Sequence, residues 1–225
     1  MKGKLIVVEG TDCSGKETQT NLLMKDLVQK GMRVEKFSFP NYQSPTGKII
    51  GGPYLGKSYI GDSWFNEGPT KVDPKVAALY YAADRKYNIY KITFLLENGV
   101  NVILDRYVYS NMAHQGGKIS DRTEREKLYS WLETLEFDLL ELPHADIKIF
   151  LHMPYEQAAI LKQNRDEPLD LVEQDEEHLK SAESAYIEIA DKYNFKTIEC
   201  TNGSEIKSIE SIHTELMDYL LKNLK

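Results

Sequence analysis

Five short apolar runs punctuate the chain: KLIVVE (4–9), RVEKFSF (33–39), VNVILD (100–105), DIKIFLH (146–152) and KTIEC (196–200). Runs of this length, rich in branched aliphatic residues, predict strands buried in a sheet. Between and after them the pattern turns helical, over 17–30, 74–98, 122–140, 155–164, 173–193 and 204–224. In LLMKDLVQK, for example, apolar residues fall at i, i+1, i+4 and i+5, which places them on one helix face. Strand–helix alternation predicts an α/β fold with a five-stranded parallel sheet, covered on both faces and joined by right-handed crossovers. Two stretches break the rhythm. Residues 43–73 hold many of the glycines and prolines, and NRDEPLDLVEQD (164–175) is a polar stretch between two helical patterns. Segments of this kind in a compact domain are expected to be binding loops or lids.

Composition narrows the class. With 225 residues, 41% apolar and 28% charged, one globular domain spanning 1–225 is expected. A net charge of -7 argues against a nucleic-acid partner, which needs a concentrated basic face, but leaves room for a local cationic pocket. Two cysteines, Cys13 and Cys200, cannot build a disulfide framework and suit a reducing compartment. No apolar run approaches the roughly 20 residues that cross a bilayer, and the chain enters its first strand without a basic, apolar leader. The expectation is a cytoplasmic protein without a membrane partner.

Chemistry is densest just after the first strand, in GTDCSGKET. Gly10, Gly15 and Lys16 have the spacing of a phosphate-binding loop. In such a loop the backbone N–H groups of Gly10, Thr11, Asp12, Cys13, Ser14, Gly15 and Lys16 converge on an anion. The following helix, with Glu17 and Thr18 in its first turn, adds its positive end. Lys16 supplies a point charge for the terminal phosphates of a nucleotide. A hydroxyl normally follows the lysine and ligates magnesium; here Glu17 stands there, a hard oxygen ligand that is a candidate for the ion or its water shell. A second acid, Asp105, ends the run VNVILD. In a parallel sheet its strand and the first reach the same edge, so Asp105 is a second metal candidate. Arg106 beside it suits bidentate contact with phosphate oxygens.

Together these stretches resemble the thymidylate kinase family of P-loop nucleoside monophosphate kinases. VVEGTDCSGKETQ is similar to its phosphate loop, DRYVYSNMAHQGGK to its D-R-Y signature with serine and Q-G-G, FSFPNY to its F-P segment, and YYAADR to its arginine-ending helix. These motifs lie between residues 5 and 118, and the D-R-Y-x-x-S element separates this branch from adenylate-kinase-like relatives. The resemblance implies a three-layer α/β/α P-loop fold with a short helical lid, Mg2+-dependent transfer of the γ-phosphoryl of ATP to dTMP, and a homodimer. It places Asp12 near the attacking phosphate and sugar, Lys16 at the ATP phosphates, Asp105 at the metal and Arg106 at the acceptor phosphate. Phe39 and Tyr42 line the acceptor pocket, Tyr81 stacks on the base and Arg85 bonds a thymine carbonyl. Asn111 and Gln115 border base and sugar, with His114 on the sugar's 2′ side.

The family also implies an arginine that closes on the transferring phosphoryl group, from the glycine loop or from the lid. Cys13 occupies the loop position, so Arg165 of the lid is the candidate; Asn41 replaces another arginine of relatives. Taken singly, Phe39 and Tyr81 also read as core aromatics, Arg85 as a solvated helix charge and His114 as a cap. Two other functions stay open at this point: a kinase of the same fold acting on another nucleoside monophosphate or a deoxynucleoside, and a non-catalytic nucleotide-binding module.

Overall fold

The computed structural model describes residues 2–163 and 168–224. Five parallel strands form one sheet in the order β2-β3-β1-β4-β5. They are β1 (Leu5–Gly10), β2 (Val34–Ser38), β3 (Asn101–Asp105), β4 (Ile147–His152) and β5 (Lys196–Glu199). All five expected strands are present within a residue or two of their expected bounds. Every residue of β1 is buried, as a central parallel strand requires. Alternation sorts its side chains: Leu5 and Val7 face one layer, Ile6 and Val8 the other.

The helices are α1 (Lys16–Gln29), α2 (Pro45–Ile49), α3 (Pro74–Glu97), α4 (Val108–Gly116), α5 (Arg122–Glu133), α6 (Tyr155–Gln163), α7 (Glu176–Lys192) and α8 (Ile209–Asn223). α1 and α8 cover one face through Leu23, Leu27, Ile212, Leu216 and Leu220. α3, α4, α5 and α7 cover the other, with Ile92, Met112, Leu132 and Ile189 against Val102, Leu104 and Phe150. Caps explain where several helices begin. Asp73 accepts from the N–H groups of Lys75 and Val76, Asp175 from His178 and Ser208 from Ser211.

Four departures from the expected elements matter. The helix expected over 122–140 is α-helical only to Glu133 and then widens into a π turn, Thr134–Leu139, which carries the fully buried Glu136. Helix α4 was not anticipated. It has no side-chain cap of its own; Glu9, nearly a hundred residues away on β1, accepts from the N–H groups of Tyr107 and Ser110 at 2.8 and 3.1 Å. The 43–73 stretch is also structured. α2 runs into a π turn, Ile50–Tyr54, and Ile50, Tyr54, Leu55, Val72 and Ala77 form a small core of their own. A two-strand hairpin, β6 (Thr201–Asn202) with β7 (Glu205–Ile206), follows β5, and β7 takes residues expected to open the last helix.

Phe150 sits at the centre of the α3/α4/α7 layer, with its ring stacked on Tyr186 at 5.5 Å. Phe150→Ala is expected to lower unfolding free energy by about 3–5 kcal/mol in urea titration; a loss below about 1 kcal/mol would contradict this packing.

Candidate active site

The phosphate loop is built by close packing. A Cβ at Gly10 would lie 2.6 Å from Ser14 Oγ and 2.8 Å from the Leu151 carbonyl oxygen, and Gly15 takes φ of +75° as it hands the chain to α1. The Thr11 hydroxyl donates to the Met153 carbonyl at 2.7 Å and accepts from the Met153 N–H at 2.9 Å, which staples the loop to the end of β4. Lys16 folds back over the loop, its Nζ 2.7 Å from the Thr11 carbonyl oxygen. Burial, followed by the nearby charge of Arg106, lowers its pKa to about 8; Asp12, Asp105 and Glu9 pull the other way.

The β1–β3 ladder sets the second half of the site. Val8 pairs with Asp105, so the residue after β3 emerges beside the glycine loop. There Arg106 adopts φ of +67°, a left-handed conformation uncommon outside glycine. Its guanidinium donates to Asp12 Oδ1 at 2.9 Å, to the Tyr186 hydroxyl at 3.0 Å and to Ser110 Oγ at 3.4 Å. Burial acts to raise the pKa of Asp12, but the charges of Arg106 and Lys16 and the bond from Arg106 outweigh it and hold the carboxyl well below the ordinary range. Glu9, almost fully buried, accepts from Ser110 Oγ and is pushed up by burial despite that bond and the charge of Arg106.

A cleft of about 670 Å³, open to solvent, runs from this loop across the edge of the sheet. Asp12, Cys13, Ser14, Gly15, Lys16, Glu17 and Thr18 line one end; Phe39, Tyr42, Tyr81, Arg85, Asn111, His114 and Gln115 line the other, with Asp105 and Arg106 also on its wall. Gly10 and Thr11 support the loop from behind. Arg165 lies outside the described residues.

The far end of the cleft shows what the sequence reading missed. Arg85 is 2% exposed and forms a two-pronged ion pair with Glu136, Nε to Oε2 and Nη2 to Oε1, each 2.5 Å. It is no solvated helix charge. The signal was an acid four residues after Leu132, on the buried stripe of Leu128 and Leu132. Asn111 Nδ2 donates to Glu136 Oε1 at 3.0 Å and to the Ala78 carbonyl at 3.2 Å. Two buried oxygens in this wall, Asn111 Oδ1 and Gln115 Oε1, have no protein partner. His114 stacks on His178 of α7, their facing nitrogens 3.3 Å apart. Burial above all, with nearby cations, lowers both, His178 to about 4, so the pair is neutral at pH 7. Asn41 is tied down: its N–H donates to Asp84 and its side-chain amide to Asn88.

The two expected closing segments meet over the cleft. Lys57 of the 43–73 stretch pairs with Asp170 at 2.8 Å, and the Leu171 N–H donates to the Leu55 carbonyl. For magnesium, Asp105 and Glu17 both line the cleft beside the loop and offer the hard oxygen that ion prefers. Among the described residues no cluster of three or more His, Cys, Asp or Glu side chains forms a ready-made cage. Such a donor set fits an ion that keeps phosphate and water oxygens as its other ligands.

Among the described residues no helix is long and apolar enough to cross a membrane. A family model described as "Thymidylate kinase" matches residues 8–212. A probable thymidylate kinase of Methanocaldococcus jannaschii is 32% identical over 220 residues, covering 97% of this chain and 96% of its own. The thymidylate kinase of Schizosaccharomyces pombe is 29% identical over 218 residues, covering 96% of this chain and 91% of its own. A solved thymidylate kinase from Candida albicans superimposes with a TM-score of 0.72 at 25% identity, over 99% of this chain and 92% of its own.

A polyphosphate seated on the loop would restore the lost basicity of Lys16. Binding should then take up a proton, and affinity should fall as pH rises through about 8. Calorimetric titration of ATP between pH 7 and 9, in buffers of different ionisation heat, is expected to show uptake in the native chain and none in Lys16→Arg. Equal uptake in both would remove Lys16 as the source.

Proposed function

The chain belongs to the thymidylate kinase family, and from that premise we propose how its cleft carries the γ-phosphoryl group of ATP to dTMP. It is a dTMP kinase with ATP as phosphoryl donor. The observation that carries the reading is one cleft with a phosphate loop at one end and, at the other, a polar wall in which Asn111 Oδ1 and Gln115 Oε1 have no protein partner.

ATP lies with its β- and γ-phosphates on the amides of 10–18, where the N-terminus of α1 and Lys16 stabilise negative charge. dTMP lies between Phe39, Tyr42, Tyr81 and Arg85, its base meeting Asn111 and its sugar bordering His114 and Gln115. Arg106 binds the acceptor phosphate, and Asp12 holds that guanidinium at the junction of the two nucleotides. Phosphoryl transfer spreads charge over equatorial oxygens, so catalysis is positioning plus fixed positive charge. Lys16 and Arg106 supply it from opposite sides. A bound Mg2+ would add charge neutralisation at the phosphates, with Asp105 and Glu17 as the residues to hold it or its water. Residues 43–73 and the lid side of α7 exclude water, which would otherwise intercept the phosphoryl group.

Residues 1–225 act as one kinase unit, with 43–73 as the acceptor insert and 164–175 as the lid. Arg165 of that lid is our candidate for the arginine that closes on the phosphoryl group. A cytoplasmic setting is the one that a two-cysteine composition suits. The chain works as a homodimer through α3. This helix buries Ala78, Arg85, Ile89 and Ile92 inside its own fold, yet it exposes Val76, Leu79, Tyr87, Tyr90 and Phe94 along one line. A helix apolar on two sides is built to be covered twice, and a second copy across a two-fold axis presents the same stripe.

ADP release from ATP and Mg2+ should be stimulated by dTMP above dUMP, dGMP, thymidine or no acceptor; release unaffected by any acceptor would overturn the reading. Arg106→Ala should lower kcat on the order of 10²–10³-fold, the loss typical of one transition-state donor, and an unchanged kcat would remove Arg106 from the mechanism. Light scattering should give twice the chain mass, falling to one in Tyr90→Glu/Phe94→Glu; a native monomer would exclude the dimer.

A further inference from the structure

We propose that Glu136, which reaches no substrate, is the positioning residue that writes the acceptor pocket's hydrogen-bond code and so selects a thymine-type base. The inference rests on the kinase reading above and adds a residue to it.

Two constraints meet at this carboxylate. Glu136 is 0% exposed and takes the Nε and Nη2 edges of Arg85, leaving Nη1 outside the pair. Its Oε1 also accepts from Asn111 Nδ2. An amide side chain can be turned end for end, and the two ends are easily confused. Here the surroundings decide, because Glu136 Oε1 and the Ala78 carbonyl are both acceptors. Only the NH2 end of Asn111 can face them, so Oδ1 must face the other way. That oxygen is buried, without a protein partner, on a residue that lines the cleft.

One carboxylate therefore fixes two neighbouring groups with opposite character, a donor at Arg85 and an acceptor at Asn111. A base edge that satisfies both must offer a carbonyl oxygen beside an N–H. Thymine and uracil have that edge. Cytosine presents an amino group and a bare ring nitrogen instead, so it would set donor against donor and acceptor against acceptor. A base seated against this wall raises the stakes, since a polar group left unmatched beneath it is cut off from water. Arg85 and Asn111 touch the base; Glu136 acts through them.

The test is steady-state kinetics of the full chain with dTMP, dUMP and dCMP, at saturating ATP. In Glu136→Gln the new amide can donate to Asn111, which frees that side chain to turn its NH2 toward the cleft. The expected result is a 10- to 100-fold loss in kcat/KM for dTMP, carried by KM, with the KM for ATP unchanged. dUMP should fall in parallel, because it shares the edge, and the preference for dTMP over dCMP should narrow at least tenfold. Glu136→Asp keeps the charge and the fold but is one methylene too short to hold both partners. It should raise the KM for dTMP several-fold while lowering Tm less than the Gln variant does, so it carries the test if the Gln variant does not fold. A dTMP-to-dCMP ratio unchanged in either folded variant would overturn the proposal. So would an equal loss for every acceptor together with a raised KM for ATP, which is the mark of a structural role. A native chain that does not phosphorylate dTMP would instead defeat the underlying kinase reading, and is seen before any variant is made.

Discussion

The parallel pairing of β1 with β3 is the constraint on which the site depends. It brings Val8 level with Asp105, so the glycine loop and the turn carrying Arg106 leave the sheet side by side. Glu9 then converts adjacency into geometry. By accepting from the N–H groups of Tyr107 and Ser110 it fixes the start of α4, and α4 carries Asn111, His114 and Gln115 into the cleft. A buried carboxylate is costly unless its bonds are made. Here a helix N-terminus makes them, and the positive end of α4 favours the charge. One residue of the first strand thus orients the acceptor half of the site.

The charges around the loop are held in place by groups of the protein itself. Lys16 rests on the Thr11 carbonyl, and Arg106 on Asp12, Tyr186 and Ser110. Each cation has internal partners good enough to hold its position, and phosphate oxygens can replace them. The electrostatic work of gathering two cations is done by folding, with Glu9, Asp12 and Asp105 offsetting the repulsion. Fixed charge of this kind needs little reorganisation at the moment of transfer. At the other end, Arg85 and Glu136 form a buried pair of the sort whose disruption is strongly destabilising, so the cleft wall and local stability share one contact.

Local pattern revealed most of the frame. The five strands were legible because buried parallel strands are unbroken apolar runs, and the glycine loop because its chemistry is contiguous in sequence. Long-range partners were not legible. α4, with Asn and aromatic residues in a short segment, has weak intrinsic preference, and its cap comes from Glu9 on another strand. Glu136 falls inside the helical pattern of 122–140, where its place on the buried stripe is a faint sign and its partner Arg85 is 51 residues away. His178 lies on a buried stripe with Ala182, Ala185 and Ile189, and only the fold brings it to His114. The 43–73 stretch looked like a loop because its core is completed by Tyr80 and Tyr81 of α3 and by Val172.

Closure over the cleft links the parts. The Lys57–Asp170 pair joins the insert to the segment before α7, and the His114–His178 contact joins α7 to the acceptor wall. Every one of these pieces serves a single claim, that two nucleotides meet end to end between Lys16 and Arg106. The most direct measurement is a crystal structure with a bisubstrate mimic in which adenosine and thymidine are joined through five phosphates. The account predicts phosphates on the amides of residues 10–18, bridged by Lys16 and Arg106, with thymine between Tyr81 and Arg85. Phosphates away from that loop, or a thymine outside the wall of Arg85 and Asn111, would contradict it.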